Sequence, residues 1–295
     1  MVICAGTSLI DCIVTEAGSE AVAEDITLSP GGEAFNEAVW LASLGEEVLF
    51  CSAVGPDFAG DALRRVLAER GVTLSSDYGG QTPVSLLTVD RRGERKSKVS
   101  KAHNLDGWEP VLPADTRPDF VTMASLFRPP FLDPAAALRF SRSAKAAGAY
   151  LLADTKLPKG ADPRLADYRE TLALLDFITP NETEAAHYTG CTDPVEAARV
   201  FRNYGVKNVI VKLGERGAFV LPESGEGFFQ PALPVDCVDG IGAGDSFNAG
   251  LIHALITGAS LREAAAFGTR CAARCVTMRG GIAAAGQIEG LKKNG

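Results

Sequence analysis

The stretch Val238-Asp239-Gly240-Ile241-Gly242-Ala243-Gly244-Asp245-Ser246-Phe247-Asn248-Ala249-Gly250 decides how this chain is read. A glycine-rich turn runs straight into an amphipathic helix, expected over 245–256, with a carboxylate at the junction. Small residues let the backbone amides of Gly242, Ala243 and Gly244 converge on one point. The helix adds unpaired amides and the positive end of its dipole, so the place suits an anion, phosphate in particular. Asp245 would repel a bound phosphate. It makes chemical sense as a base that takes a proton from an attacking hydroxyl while the amides hold a transferring phosphoryl group. The rival reading is a turn with Asp as an ordinary N-cap, and this segment alone does not separate the two.

The surroundings fit a large α/β protein. The chain has 295 residues, 46% hydrophobic but only 7% aromatic, which favours close packing of helices on a sheet. A net charge of −8 argues against nucleic-acid or anionic-membrane binding, and no apolar run reaches transmembrane length. The N-terminus reads as a strand rather than a signal peptide, so a cytoplasmic location is expected. Seven cysteines are scattered without a CxxC pair, as expected of reduced, mostly buried thiols rather than a metal site.

Short apolar runs at 1–8, 48–54, 120–124, 150–153, 177–179 and 209–212 alternate with helical patterns at 36–44, 60–70, 134–147, 182–189, 194–203 and 261–277. That alternation predicts βαβ units and a mostly parallel sheet covered on both faces, in one domain spanning 1–295. Two stretches break it. Residues 10–28 are extended without a helix pattern, and 82–100 read as a hairpin turning at Arg91-Arg92-Gly93. Together they predict a small projecting β-sheet, roughly 10–30 and 82–103, able to cover a site. Its basic run (Arg91, Arg92, Arg95, Lys96, Lys98, Lys101) is read as a solvated face, with attraction of an acidic or phosphorylated substrate as the alternative.

Three further segments carry chemistry. Pro30-Gly31-Gly32-Glu33-Ala34-Phe35-Asn36 pairs glycines, which allow close approach, with an amide suited to polyol recognition. Asn181-Glu182-Thr183-Glu184 follows a strand, and its spacing fits either a capping box or a pair that orders water and Mg²⁺ around phosphates. Lys212-Leu213-Gly214-Glu215-Arg216-Gly217 follows another strand and leaves room for a nucleotide.

In this order and spacing the segments resemble the ribokinase family of ATP-dependent carbohydrate kinases, also called the PfkB family. Asp239-Gly240-Ile241-Gly242-Ala243-Gly244-Asp245 looks like its C-terminal signature, Asn181 to Glu184 like its N-x-x-E motif, and Gly31-Gly32 with Asn36 like its N-terminal signature. The resemblance implies a three-layer α/β/α sandwich with a β-sheet lid that excludes water. It implies a sugar held by Asp11, Gly31, Gly32 and Asn36, with Asp245 as base and the Gly242–Gly244 amides as anion hole. ATP with Mg²⁺ would lie near Asn181, Glu184, Lys212, Gly214 and Gly217, with Thr269 on the adenine side. A monovalent cation, K⁺, would sit beside the anion hole, with Asp239 as ligand and carbonyls from Ile241, Cys275, Met278 and Gly280. The family commonly forms homodimers through the lid.

The match departs at the sugar end. Leu9 stands where the ribose-specific pattern has Asn, Glu33 where it has Lys, and 123–127 lacks a Glu; Gly240 replaces a usual Thr. These changes put the acceptor in question more than phosphoryl transfer. Phe127, Arg128 and Phe131 are expected to shape the pocket, and Asp154 and Lys156 to cap the segment after their strand rather than face substrate. A nucleoside kinase of the same family and a non-catalytic sugar or nucleotide sensor remain as alternatives. A nicotinamide oxidoreductase is disfavoured, because Gly6-Thr7-Ser8-Leu9-Ile10-Asp11 lacks G-x-G-x-x-G.

Overall fold

A computed structural model describes residues 1–19, 22–89 and 95–288. Along the chain the strands are β1 Val2–Ala5, β2 Leu9–Ser19, β3 Val22–Gly31, β4 Val48–Cys51, β5 Thr73–Ser75, β6 Val84–Val89 and β7 Arg95–Val99. They continue as β8 Phe120–Leu126, β9 Tyr150–Thr155, β10 Phe177–Ile178, β11 Asn208–Lys212, β12 Ala218–Leu221 and β13 Phe228–Gln230. The helices are α1 Glu33–Leu44, α2 Phe58–Glu69, α3 Pro134–Ala146, α4 Arg169–Leu172, α5 Glu182–Thr189, α6 Pro194–Asn203, α7 Ala243–Ile256 and α8 Leu261–Cys275.

Nine strands form the central sheet in the order β13-β12-β11-β10-β9-β8-β1-β4-β5. From β5 to β11 every pairing is parallel; β12 and β13 add an antiparallel edge. The runs that read as uninterrupted apolar segments are buried on both faces apart from end positions such as Tyr150, and all seven residues of β8 are buried. Two apolar clusters result. Phe35, Trp40, Leu63, Leu251 and Cys271 pack α1, α2, α7 and α8 on one face. Phe140, Leu172, Ala185 and Phe201 pack α3 to α6 on the other. The result is the expected three-layer sandwich. Strands β5, β12 and β13 are not legible in the sequence, because runs of three or four residues, one with Phe229 exposed, carry too little pattern to register.

The second sheet has the order β3-β2-β6-β7, with β2 and β6 parallel and the other pairs antiparallel. It grows from the end of β1 and returns to α1 through Gly31 and Gly32. The Arg91-Arg92-Gly93 turn lies outside the described residues; Lys98 and Lys101 are exposed. Ile26, Leu28, Val84 and Leu86 leave apolar side chains uncovered on this sheet.

Topology fixes where a ligand can bind. Strands β8, β9, β10 and β11 all deliver their following loops to one edge of the sheet, where the second sheet and the start of α7 also arrive. Parallel α/β proteins place their sites at such carboxyl ends. A cavity of about 1130 Å³ lies there, and its walls run from Leu9, Asp11 and Arg128 at one end to Gly217, Leu233 and Ala272 at the other. That is larger than a single small-molecule site usually is, and large enough for two ligands end to end.

Candidate active site

The turn before α7 is built as its residues suggest. Gly242 is the N-cap, left-handed at φ 80°, and no side chain caps the helix. A Cβ on Gly242 would lie 2.5 Å from Cα of Gly281, so only glycine fits. Ser246 is the first residue whose amide bonds back four positions, to the Gly242 carbonyl at 2.9 Å. The Ala243 amide reaches only the Gly240 carbonyl at 3.4 Å, and among the described residues those of Gly242 and Gly244 have no acceptor. These unpaired donors line the cleft. The N-cap is therefore Gly242, and Asp245 sits in the first turn rather than capping it.

Asp245 is buried and faces the same cleft. Nδ2 of Asn36 donates to its Oδ2 at 2.7 Å. Burial raises its carboxyl, the Lys156 charge opposes and Glu33 adds to the rise; the result is about 7. An acid balanced near neutrality beside uncapped amides can take a proton from an alcohol.

A second buried acid lies behind it. Glu37, on α1, accepts from the Thr122 hydroxyl at 2.8 Å, while among the described residues its other oxygen has no donor. Burial, with further help from the charges of Asp245 and Asp154, pushes it up to about 8, so it is neutral at physiological pH. No motif marks Glu37, although one acid flanked by Ala34, Phe35, Ala38, Val39 and Trp40 on an apolar helix is a usable signal.

Asp154 and Lys156 also line the cleft, contrary to the capping role expected for them. Nζ of Lys212 donates to both oxygens of Asp154 at 2.9 and 2.8 Å, and Nδ2 of Asn248 adds a third bond at 3.1 Å. A Cβ on Gly244 would lie 2.9 Å from that Lys212 nitrogen, so the ammonium sits directly over the turn before α7. Lys156 lies 3.3 Å from Glu33, whose other oxygen accepts from the Thr7 hydroxyl at 2.6 Å. Burial alone would raise Glu33; Lys156 and Thr7 overcome it and hold the carboxyl at about 2. Burial would likewise lower Lys156, but Glu33 and then Asp245 raise it.

At the end formed by the second sheet, Asp11 and Ser85 sit side by side on β2 and β6. Burial raises the Asp11 carboxyl and the Ser85 hydroxyl opposes it. The absence of a side chain at Gly31 makes room for Asp11, because a Cβ there would stand 2.8 Å from Oδ2. Leu9, Gly32, Glu33, Asn36 and Arg128 complete this end. Phe127 and Phe131 do not reach it: both are fully buried, and Phe127 packs on Tyr168 and Tyr188. Their predicted role in the pocket fails because aromatic rings gain more from the core under α4 and α5.

At the other end, Asn181 and Glu184 do both things the sequence left open. They form a complete capping box at the start of α5 and they line the cleft. Oε2 of Glu184 takes the Asn181 amide at 3.0 Å and the Thr155 hydroxyl at 2.8 Å, and among the described residues no donor meets Oε1. Burial and the Asp154 charge raise the Glu184 carboxyl. Gly214, Gly217 and Thr269 border this end too, but the Thr269 hydroxyl is already bonded to the Ala265 carbonyl at 2.9 Å, which leaves its methyl group for an apolar ligand face. Leu233, Pro234 and Val235, which no motif marked, form the outer wall.

Asp239 braces the loops behind the turn: Oδ1 accepts from the Ile241 amide at 3.1 Å and Oδ2 from Gly280 at 3.0 Å. The Cys275 thiol donates to the Ile241 carbonyl at 3.4 Å, and Met278 bonds back to the Cys275 carbonyl at 3.3 Å. The five residues expected around a monovalent cation are thus gathered, with a carboxylate and several carbonyls among them. Among the described residues, no three His, Cys, Asp or Glu side chains are grouped to hold a metal ion by themselves, and no helix is long and apolar enough to cross a membrane.

The chain matches a family model, pfkB family carbohydrate kinase, over residues 1–287. It is 29% identical to the ribokinase of Haemophilus influenzae over 278 residues, covering 90% of this chain and 87% of that protein. It is 30% identical over 308 residues to probable fructokinase-6, chloroplastic, of Arabidopsis thaliana, covering 96% and 79%. Among solved structures, aminoimidazole riboside kinase from Salmonella enterica, in complex with aminoimidazole riboside and an ATP analogue, superposes with a TM-score of 0.79. It shares 26% identity, and 99% of this chain and 98% of that one are covered.

Proposed function

The chain belongs to the pfkB family of carbohydrate kinases, and on that premise we propose that its cleft transfers the γ-phosphoryl group of ATP to a hydroxyl of a sugar or sugar derivative, with Asp245 as the base. The observation that carries this reading is the Asp245 carboxyl. It is buried at the junction of both ends of the cleft, tied to Asn36 at 2.7 Å and brought to about 7 beside amides without acceptors.

Asp11, Gly31, Gly32 and Asn36 would hold the acceptor's hydroxyls and turn one of them to Asp245. Ionised Asp245 would take that proton as the oxygen attacks in line. The amides of Gly242, Ala243 and Gly244, the start of α7 and the Lys212 ammonium would stabilise the charge spread over the moving phosphoryl oxygens. Asp154 holds Lys212 in place for this. The free Oε1 of Glu184 suits a hydrated Mg²⁺, which takes few protein ligands and most of its shell from water and phosphate; bound there it would neutralise the phosphates. Gly214, Gly217, Thr269 and the wall at Leu233 would flank the nucleoside. A K⁺ ion at Asp239 and the carbonyls of Ile241, Cys275, Met278 and Gly280 would steady the turn from behind, a role that comparing turnover in K⁺ with turnover in Na⁺ tests. The uncovered Ile26, Leu28, Val84 and Leu86 support lid-to-lid pairing, which sedimentation tests.

The deciding experiment is Asp245→Asn. General-base loss lowers kcat by roughly 10²–10⁴-fold, while ATP affinity stays within a few-fold in calorimetry. A variant that turns over at the wild-type rate removes the proposed role.

A further inference from the structure

The acceptor end of the cleft carries more positive charge than the reaction asks for. The loop after β8 supplies Arg128, and the loop after β9 supplies Lys156 and Lys159; all three line the cavity. The Phe127 backbone is left-handed at φ 74°, a costly state for a bulky residue. It turns the ring into the core and leaves Arg128 on the cleft side. Nε of Arg128 donates to the Leu157 carbonyl at 2.6 Å, and the Lys156 amide to the Leu126 carbonyl at 3.1 Å. The two cationic loops are therefore bolted together.

Only part of this charge is answered. Lys156 is matched by Glu33. The terminal nitrogens of Arg128 and the Lys159 ammonium have no acceptor among the described residues. Burial and then the nearby Arg128 lower the Lys159 ammonium, with Glu33 and Asp11 opposing, which places the two cations close enough to repel. Elsewhere the exposed arginines 139, 142, 164, 199 and 216 each meet a carboxylate at 2.5–2.8 Å. In a chain of net charge −8, cations held at one end of a cleft without a directly bonded carboxylate are a recognition element for an anion. They stand at the lid end, beside Asp11 and Asn36, away from the Gly214 and Leu233 wall.

We propose that Arg128 and Lys159 recognise an anionic substituent, a carboxylate or a phosphate monoester, on the sugar acceptor. The inference rests on the kinase reading for there being an acceptor at this end at all. Arg128 would make the directed, charge-assisted contact, and Lys159, at the exposed mouth, would draw the anion in.

The test is calorimetric binding of D-gluconate and 2-keto-3-deoxygluconate (carboxylates), fructose 6-phosphate (a phosphate) and the neutral sugars fructose and ribose. It is run on wild type, Arg128→Ala and Lys159→Met at low and high salt. Charge-assisted contacts predict that at least one acid or phosphate binds about 10–100-fold tighter than the neutral sugars, that Arg128→Ala removes the difference, and that Lys159→Met weakens the same ligand several-fold with a flatter salt dependence. Which of the two anion classes binds identifies the group recognised. Lys159 is exposed, so its variant reports even if Arg128→Ala folds poorly. Neutral sugars that bind as tightly as every anion, or variants that weaken both classes equally, overturn the proposal. ATP turnover with the same compounds separates the two readings. An anion that binds through Arg128, with no compound of either class phosphorylated, leaves an anion site at this end but overturns the assignment of its ligand as a phosphoryl acceptor, and phosphorylation of neutral sugars alone overturns the anion inference while the kinase reading stands.

Discussion

Replacing Glu37 with Gln tests how the fold supports the cleft. In the native chain this carboxyl is buried, bonded by Thr122 at 2.8 Å and raised from 4.5 to about 8. Because the native state holds the proton more tightly than the unfolded chain, stability falls as pH rises from about 4.5 to about 8. Linkage places the loss from this group at roughly 1 kcal/mol by pH 5 and roughly 4 kcal/mol by pH 8, a span of about 3–4 kcal/mol. A Gln at this position keeps an acceptor for Thr122, puts an amide where the undonated oxygen stood, and cannot ionise. The variant should therefore match the wild type near pH 5 and exceed it increasingly toward pH 8. The assay is urea unfolding of both proteins at pH 5, 6, 7 and 8, with the midpoint and slope fitted separately. Parallel pH dependences would refute the reasoning, because they would mean that Glu37 titrates alike in both states. The functional meaning lies in its neighbours: a neutral Glu37 keeps a third negative charge away from Asp245 and Asp154.

Turnover should fall about tenfold per pH unit below about 7, as the base of the proposed reaction protonates. Lys156→Met should move that limb upward, because the lysine charge opposes the effect of burial on Asp245; a pH–kcat profile reads both, and an unmoved limb counts against the coupling. Gly31→Ala places a methyl group 2.8 Å from Oδ2 of Asp11, so the KM for the acceptor should rise while the melting temperature barely changes. Asn181→Ala should lose about 1 kcal/mol of stability through the broken cap, whereas Glu184→Gln, which can still bond the Asn181 amide, should keep most of the stability and lose kcat/KM for ATP. If both variants lose stability alone, these residues serve only the helix.

The layers of the fold were legible because buried parallel strands and amphipathic helices carry opposite periodicities. The boundaries of α5 and α6 match the reading residue for residue, since Asn181 and Asp193 are strong caps with glycine or a turn at the far end. Short edge strands were not legible, having too few residues to show a period. The same contrast holds in the cleft. Glycines at 31, 242 and 244 and the acids at 11 and 245 stand out along the chain because their local backbone needs them. Lys156, Lys159, Arg128 and Glu37 acquire meaning only through residues far away in sequence. Glu33 meets Lys156 across 123 positions, and Asn36 meets Asp245 across 209. A pattern within a few residues records what the local backbone requires. Which charges answer one another, which acid stays protonated and which cations are left facing the cleft were decided only when the sheet brought the ends of β8, β9 and α1 together.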